Sequence, residues 1–125
     1  MILGIGIDIV NVARIRELRS RYGERFVRRI FTEHEAGYCM GKADPDTHLA
    51  ARFAAKEAAA KALGTGLLRG IGFSDVELVK DDGPPRLVLH RRAKVHAETM
   101  GAIQIHVSVS HEQLHAVATV ILEGP

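Results

Sequence analysis

An acidic residue with lysines on either side interrupts an otherwise apolar run, Phe53-Ala-Ala-Lys-Glu-Ala-Ala-Ala-Lys-Ala-Leu-Gly64. On a helical wheel at about 100° per residue, Glu57 falls about 40° and Lys56 about 60° from Phe53. Both therefore share or border the stripe that Leu49, Phe53 and Ala60 should bury. Two readings fit this pattern. Glu57 and Lys61 can form an ordinary i,i+4 ion pair on a wet face, worth about 0.2–0.5 kcal/mol. Alternatively, a half-buried carboxylate with lysines beside it can hold a metal ion and phosphates, because a buried carboxylate needs a cation. Mg²⁺ typically takes one or two carboxylates, leaving its remaining positions to waters and substrate phosphates.

The second reading needs another carboxylate, and Asp8 is the candidate. It lies inside Gly4-Ile-Gly-Ile-Asp-Ile-Val10, a run that otherwise reads as a strand. An acidic residue is disfavoured there unless it faces water, caps the next helix or does chemistry. The neighbouring glycines allow a ligand or another backbone to come close. Asp8 and Glu57, with Lys56 and Lys61 supplying positive charge, point to Mg²⁺-dependent phosphoryl-group chemistry.

These residues must be positioned by a mixed set of elements. After the first strand, Asn11 can cap a helix over 12–22 whose apolar stripe is Val12, Ile15, Leu18 and Tyr22. Gly23 ends or kinks it, and Glu24–Phe31 adds further helical turns. Thr32 and Glu35 form a capping-box pair ahead of another helix. Pro45 reads as a breaker in the loop at 42–47, and Asp46 or Thr47 can start the long helix through Gly64. The stretch 64–72 is a Gly-rich turn region. Phe73–Asp81 and Arg86–His90 read as two strands around an Asp-Gly-Pro-Pro turn, followed by a helix over 91–100 ending at Gly101. Two final strands, 103–111 and 114–122, flank a tight turn at Glu112 and Gln113. Hairpin-linked strands imply an α+β fold with a mainly antiparallel sheet packed against the long helix.

A chain of 125 residues with 46% hydrophobic and 26% charged residues suits one domain, 1–125, with a real core. The single Cys39 allows no internal disulfide and fits a reducing compartment. No basic segment precedes the apolar N-terminal run, and that run is too short to span a bilayer, so the expectation is a cytoplasmic protein that does not enter membranes. Net charge is only +2, yet residues 1–31 hold seven arginines against three acidic residues, a local +4. With 5% aromatics and no Trp, stacking on single-stranded nucleic acid is not expected. A basic patch on a nearly neutral chain suits an acidic protein partner better.

Taken together, Gly6 and Asp8, the motif Phe53, Lys56, Glu57, Lys61, Ala62 and Gly64, the Phe31–Glu35 stretch and His106-Val-Ser-Val-Ser-His111 closely resemble the holo-acyl-carrier-protein synthases. These are small phosphopantetheinyl transferases, and the resemblance spans nearly the whole chain. It implies their fold and their reaction: coenzyme A donates its 4′-phosphopantetheine arm to a serine of apo acyl carrier protein, releasing 3′,5′-ADP, in fatty acid biosynthesis. It implies Asp8 and Glu57 as Mg²⁺ ligands and Lys61 as the catalytic lysine facing the phosphates. Arg52, Lys56, Gly64, Pro85 and His106 fall to coenzyme A binding, His106 from a neighbouring subunit. It further implies a homotrimer with active sites at subunit interfaces.

The resemblance also supplies an acidic partner for the basic segment. Arg14 matches a family position that contacts the carrier protein. Arg21, Arg25 and Arg28 extend that face by charge and helical phase, and Leu18 adds an apolar contact. A solvated arginine face is the plainer alternative. Two other functions keep the same fold: a non-catalytic binder of coenzyme A or carrier protein, and a trimeric interaction protein. Neither needs both carboxylates and Lys61.

Overall fold

The computed structural model describes residues 1–66 and 70–125, so part of the Gly-rich stretch expected at 64–72 lies outside the described residues. The elements run β1 (Ile2–Asn11), α1 (Val12–Tyr22), α2 (Glu24–Ile30), α3 (Glu33–Met40) and α4 (Pro45–Leu63), then β2 (Val76–Val79), β3 (Arg86–Leu89), α5 (Arg91–Met100), β4 (Gln104–His111) and β5 (His115–Glu123). The strands form two antiparallel sheets, β1-β5-β4 and β2-β3, which bears out the α+β expectation. Both expected hairpins form. The pairing of the first strand with the last was not foreseen. It closes the chain on itself, with Met1 and Gly124 exchanging hydrogen bonds at 2.9 and 2.8 Å.

The long helix α4 lies across β1 and β5, and the glycines of β1 explain how closely. A Cβ built on Gly4 would stand 2.0 Å from the carbonyl oxygen of Ala62, and one on Gly6 would stand 1.9 Å from that of Ala58. Backbone meets backbone here, so glycine is required at both strand positions. Strand alternation then carries Asp8 and Val10 to the same helix-facing side. Ala116, Ala118, Val120 and Leu122 of β5 complete that buried surface.

The local signals mostly act where the sequence places them. Asn11 caps α1 by accepting from the Ala13 amide at 2.9 Å. Thr32 and Glu35 form the capping box. Gly23 ends α1 with φ +57°, and Gly64 and Gly101 end α4 and α5 at φ +75° and +90°. Two expectations need correction. Pro45 is the first residue of α4 rather than a loop breaker, because an N1 position has no intrahelical use for an N–H. Residues Phe73–Asp75 form one 3₁₀ turn rather than the start of a strand, because the Asp75 carboxylate accepts from the Gly72 amide at 2.9 Å and folds the chain back.

Candidate active site

Asp8, Glu57 and Lys61 come together where β1 runs beside α4. Helical side chains lean toward the helix N-terminus. Lys61 thereby reaches back along α4 to β1, donating to the Ile7 carbonyl at 2.9 Å and to Asp8 Oδ1 at 3.2 Å. Asp8 is mostly covered, at 18% side-chain exposure, whereas Lys61 is half exposed. Of the two carboxylates, Asp8 has an ion-pair partner and Glu57 has none among the described residues. Burial first, and then the negative charge of Asp8, pushes its carboxyl above the ordinary range. Lys61 and Arg14 pull it back only in part. The i,i+4 pair between Glu57 and Lys61 therefore does not form. Lys61 serves Asp8 instead.

Two hard oxygen ligands facing the same space fit Mg²⁺, which keeps waters and substrate phosphates in its shell. The described residues contain no group of three or more His, Cys, Asp or Glu that could hold a metal by protein ligands alone. Two carboxylates alone would leave most of a metal's coordination positions to waters and a phosphate-bearing ligand.

Lys56 departs from its expected role. It is fully buried and donates to Glu35 Oε1 at 2.7 Å, to the Phe73 carbonyl at 2.9 Å and to the Val76 carbonyl. All three ammonium protons are used, so none is available to a phosphate of coenzyme A. Glu35 is equally enclosed. It also accepts from the Thr32 amide at 2.9 Å and the Leu78 amide at 3.0 Å. This pair ties α3, the 3₁₀ turn and β2 to α4 one residue before Glu57. The wheel placed Lys56 beside the buried stripe. It could not show that a capping-box glutamate would meet it there.

Arg52 does lie in a basic cluster. Its guanidinium stacks on Tyr38 at 4.3 Å, and Nη1 donates to the His48 carbonyl at 3.4 Å. Its Nε is buried with no hydrogen-bond partner. Lys42 lies 4.5 Å over the same ring, and His48 meets Tyr38 and His111 edge to face at 6.0 and 5.0 Å. Burial first, and then neighbouring His111, Arg52 and Lys42, hold the His48 imidazole below its usual range. Sequence reasoning passed over Tyr38, Lys42 and His48, and gave His111 no role. The i,i+4 spacing of His48 and Arg52 was the available signal.

The remaining candidates scatter. Gly64 caps α4, and no described residue stands within 4 Å of where its side chain would be. Pro85 lies in the turn between β2 and β3. His106 sits on the sheet face opposite Asp8 and pairs with Glu123 at 2.9 Å. A single chain therefore does not bring His106 to the carboxylates. On the basic segment, Arg14, Arg21 and Arg25 are exposed and have no carboxylate partner among the described residues. Arg14 lies 5.7 Å over the face of Phe53, which in turn stacks on Phe73 at 5.5 Å. Leu18 is half buried. Arg28 differs, because it pairs with Glu24 at 3.3 Å and lines a groove of about 860 Å³ between α2 and α3.

The family model for the 4′-phosphopantetheinyl transferase superfamily matches residues 4–120. The chain belongs to this family. Among the phosphopantetheinyl transferases it is similar to the holo-[acyl-carrier-protein] synthases of Koribacter versatilis, at 49% identity over 98% of this chain and 99% of the relative, and of Nitratidesulfovibrio vulgaris, at 51% over 99% and 100%. The crystal structure of the Neisseria meningitidis holo-[acyl-carrier-protein] synthase superposes with a TM-score of 0.90 at 36% identity, covering 98% of this chain and 99% of that one. That of the Bacillus anthracis synthase, in complex with CoA (3′,5′-ADP), superposes with a TM-score of 0.82 at 38% identity, covering 100% and 99%. As a phosphopantetheinyl transferase the chain is an enzyme, and the α+β architecture is that of the family.

Proposed function

We propose that this chain transfers 4′-phosphopantetheine from coenzyme A to a serine of an apo acyl carrier protein. In that reaction the serine hydroxyl gives up its proton to water as its oxygen bonds to the β-phosphorus of coenzyme A, the bond to the leaving phosphate breaks, and 3′,5′-ADP departs. The observation that carries this reading is the meeting of Asp8, Glu57 and Lys61 across β1 and α4. Asp8 and Glu57 would hold Mg²⁺, which when bound neutralises phosphate charge during the displacement. Lys61 is placed to exchange its Asp8 contact for a phosphate oxygen, stabilising charge on the leaving group. Arg52 and Lys42, both over the Tyr38 ring, supply positive charge suited to a phosphate of coenzyme A, with the imidazole of His48 alongside. The exposed Arg14, Arg21 and Arg25 suit an acidic carrier protein.

The same proposal includes a homotrimer acting in cytoplasmic fatty acid biosynthesis. Support for assembly comes from the sheet face that α4 leaves bare. Ile5, Ile7 and Ile9 project from it, each more than 60% exposed, and Ile121 and Val117 lie opposite Ile5 and Ile9 on β5. His106 lies on that same face. None of the described helices is long and apolar enough to cross a membrane.

The test is direct. The chain is incubated with coenzyme A, Mg²⁺ and an apo acyl carrier protein, and the carrier is weighed by mass spectrometry. A gain of one phosphopantetheine supports the transferase. An unmodified carrier with coenzyme A still bound to the chain would replace it with a binding module.

A further inference from the structure

Asp46 divides the arginines of α1 into two sets. It lies in the first turn of α4 with only 4% of its side chain exposed. Arg19 grips it through both oxygens, Nε to Oδ1 at 2.7 Å and Nη2 to Oδ2 at 3.2 Å. Arg16 adds Nε to Oδ2 at 3.3 Å, and its Nη2 reaches Asp44 at 3.5 Å. Arg16 and Arg19 stand three residues apart, one turn along the same side of α1. A two-oxygen grip by a planar guanidinium fixes orientation as well as position. With its guanidinium over Phe53, Arg14 marks a different side of the helix.

We infer that Asp46 is a positioning residue for carrier recognition. It holds α1 in the rotation that presents Arg14 and Arg21 outward, and its carboxylate pairs the charges of Arg16 and Arg19, whose side chains stay 50% and 32% exposed. This inference rests on the proposed docking of an acidic carrier protein on α1. Burial alone would not demand an acid here. The Asp46 carboxylate is matched to two arginines whose charge an acidic partner would otherwise also meet, at a different angle. An acidic carrier meeting a helix freed to rotate would find positive charge spread over two sides, losing the register that complementary charge provides.

The test separates the two substrates. Asp46→Asn keeps the shape of the side chain but removes the charge that holds both arginines. The KM for an apo acyl carrier protein should rise about fivefold or more, an effect of about 1 kcal/mol. The KM for coenzyme A and the Mg²⁺ dependence should stay unchanged, because the Asp46 carboxylate is bonded to Arg16 and Arg19 and to none of Arg52, Lys42, His48, Asp8 or Glu57. Asp46→Glu, which keeps the charge, should recover part of the loss. A role confined to stability would lower the melting temperature and leave both KM values alone when assayed well below it. That result, or equal rises in both KM values, overturns the inference. Arg14→Glu is measured alongside. If it raises the carrier KM while Asp46→Asn does not, docking on α1 stands and the role of Asp46 falls. If neither variant moves the carrier KM, the docking surface itself is wrong.

Discussion

Lys61 on α4 and Asp8 on β1 stand 3.2 Å apart, and the lysine ammonium occupies the neighbourhood that a metal bound to Asp8 would share. A metal held by Asp8 would compete with Lys61 for one carboxylate. Lys61→Met should therefore leave Mg²⁺ binding as tight as in the unaltered chain or tighter, by calorimetric titration in the presence of coenzyme A. Transfer should nonetheless fall by about 10²-fold or more, as when one stabilising charge is removed from a displacement. A parallel loss of metal affinity and turnover would mean that Lys61 supports the metal site rather than competing within it.

Glu57 carries a stability cost at neutral pH. Its carboxyl is held above the ordinary range, first by burial and then by the charge of Asp8. For a carboxyl raised on folding, the unfolded chain loses its proton first as pH rises. Stability therefore falls through the window between the unfolded and folded values, and the ionised group weakens the fold above it. Glu57→Gln should accordingly raise the melting temperature of the metal-free protein at pH 8 and leave it nearly unchanged at pH 4. Saturating Mg²⁺ with coenzyme A should reverse the order. At a hundred times its dissociation constant a ligand adds about 2.7 kcal/mol, and the variant should gain far less. A Glu57→Gln protein that melts lower at pH 8 would contradict this account.

Why the sequence announced some of this and not the rest can be followed at single residues. Asn11, Thr32, Gly64 and Gly101 act through contacts within a few residues, so local rules placed them correctly. Asp8 and Glu57 were legible because each is the wrong type for its element, a carboxylate in a strand and another beside an apolar stripe. Gly4 and Gly6 were legible as sites of close approach, although only the fold shows that the approaching group is the backbone of α4. Lys56 was misread because its partner Glu35 lies 21 residues away. The Tyr38–Arg52 stack and the Asp46 grip likewise join distant segments. No periodicity within one helix encodes which residue of another helix will face it.

The buried pair of Lys56 and Glu35 yields a clear energetic expectation. Each is fully enclosed, and their hydrogen bonds to Thr32, Phe73, Val76 and Leu78 leave the pair satisfied. Removing one partner strands the other charge, so Lys56→Met should cost about 3–5 kcal/mol in denaturant unfolding. Adding Glu35→Gln to Lys56→Met should recover part of that loss, because the stranded charge goes with it. Two losses that simply add would mean that the carboxylate and the ammonium act independently.

The bare sheet face and the position of His106 converge on one expectation about assembly. Ile5, Ile7 and Ile9 would be an aggregation hazard on an isolated chain. His106 shares their face and is turned away from Asp8, so it can serve a site built on Asp8 only if that site belongs to a neighbour. Ile7→Asp should therefore yield monomers by light scattering and abolish transfer, although Ile7 points away from the carboxylates. Subunit mixing is sharper still. Asp8→Asn and His106→Ala chains should each be impaired alone. When they are unfolded together and reassembled in equal amounts, a cyclic trimer with shared sites should regain native composition at roughly a quarter of its sites. Activity that never exceeds the average of the two parents would show that each chain completes its own site. His106 would then have no part in the chemistry, and the isoleucine face would be an assembly surface alone.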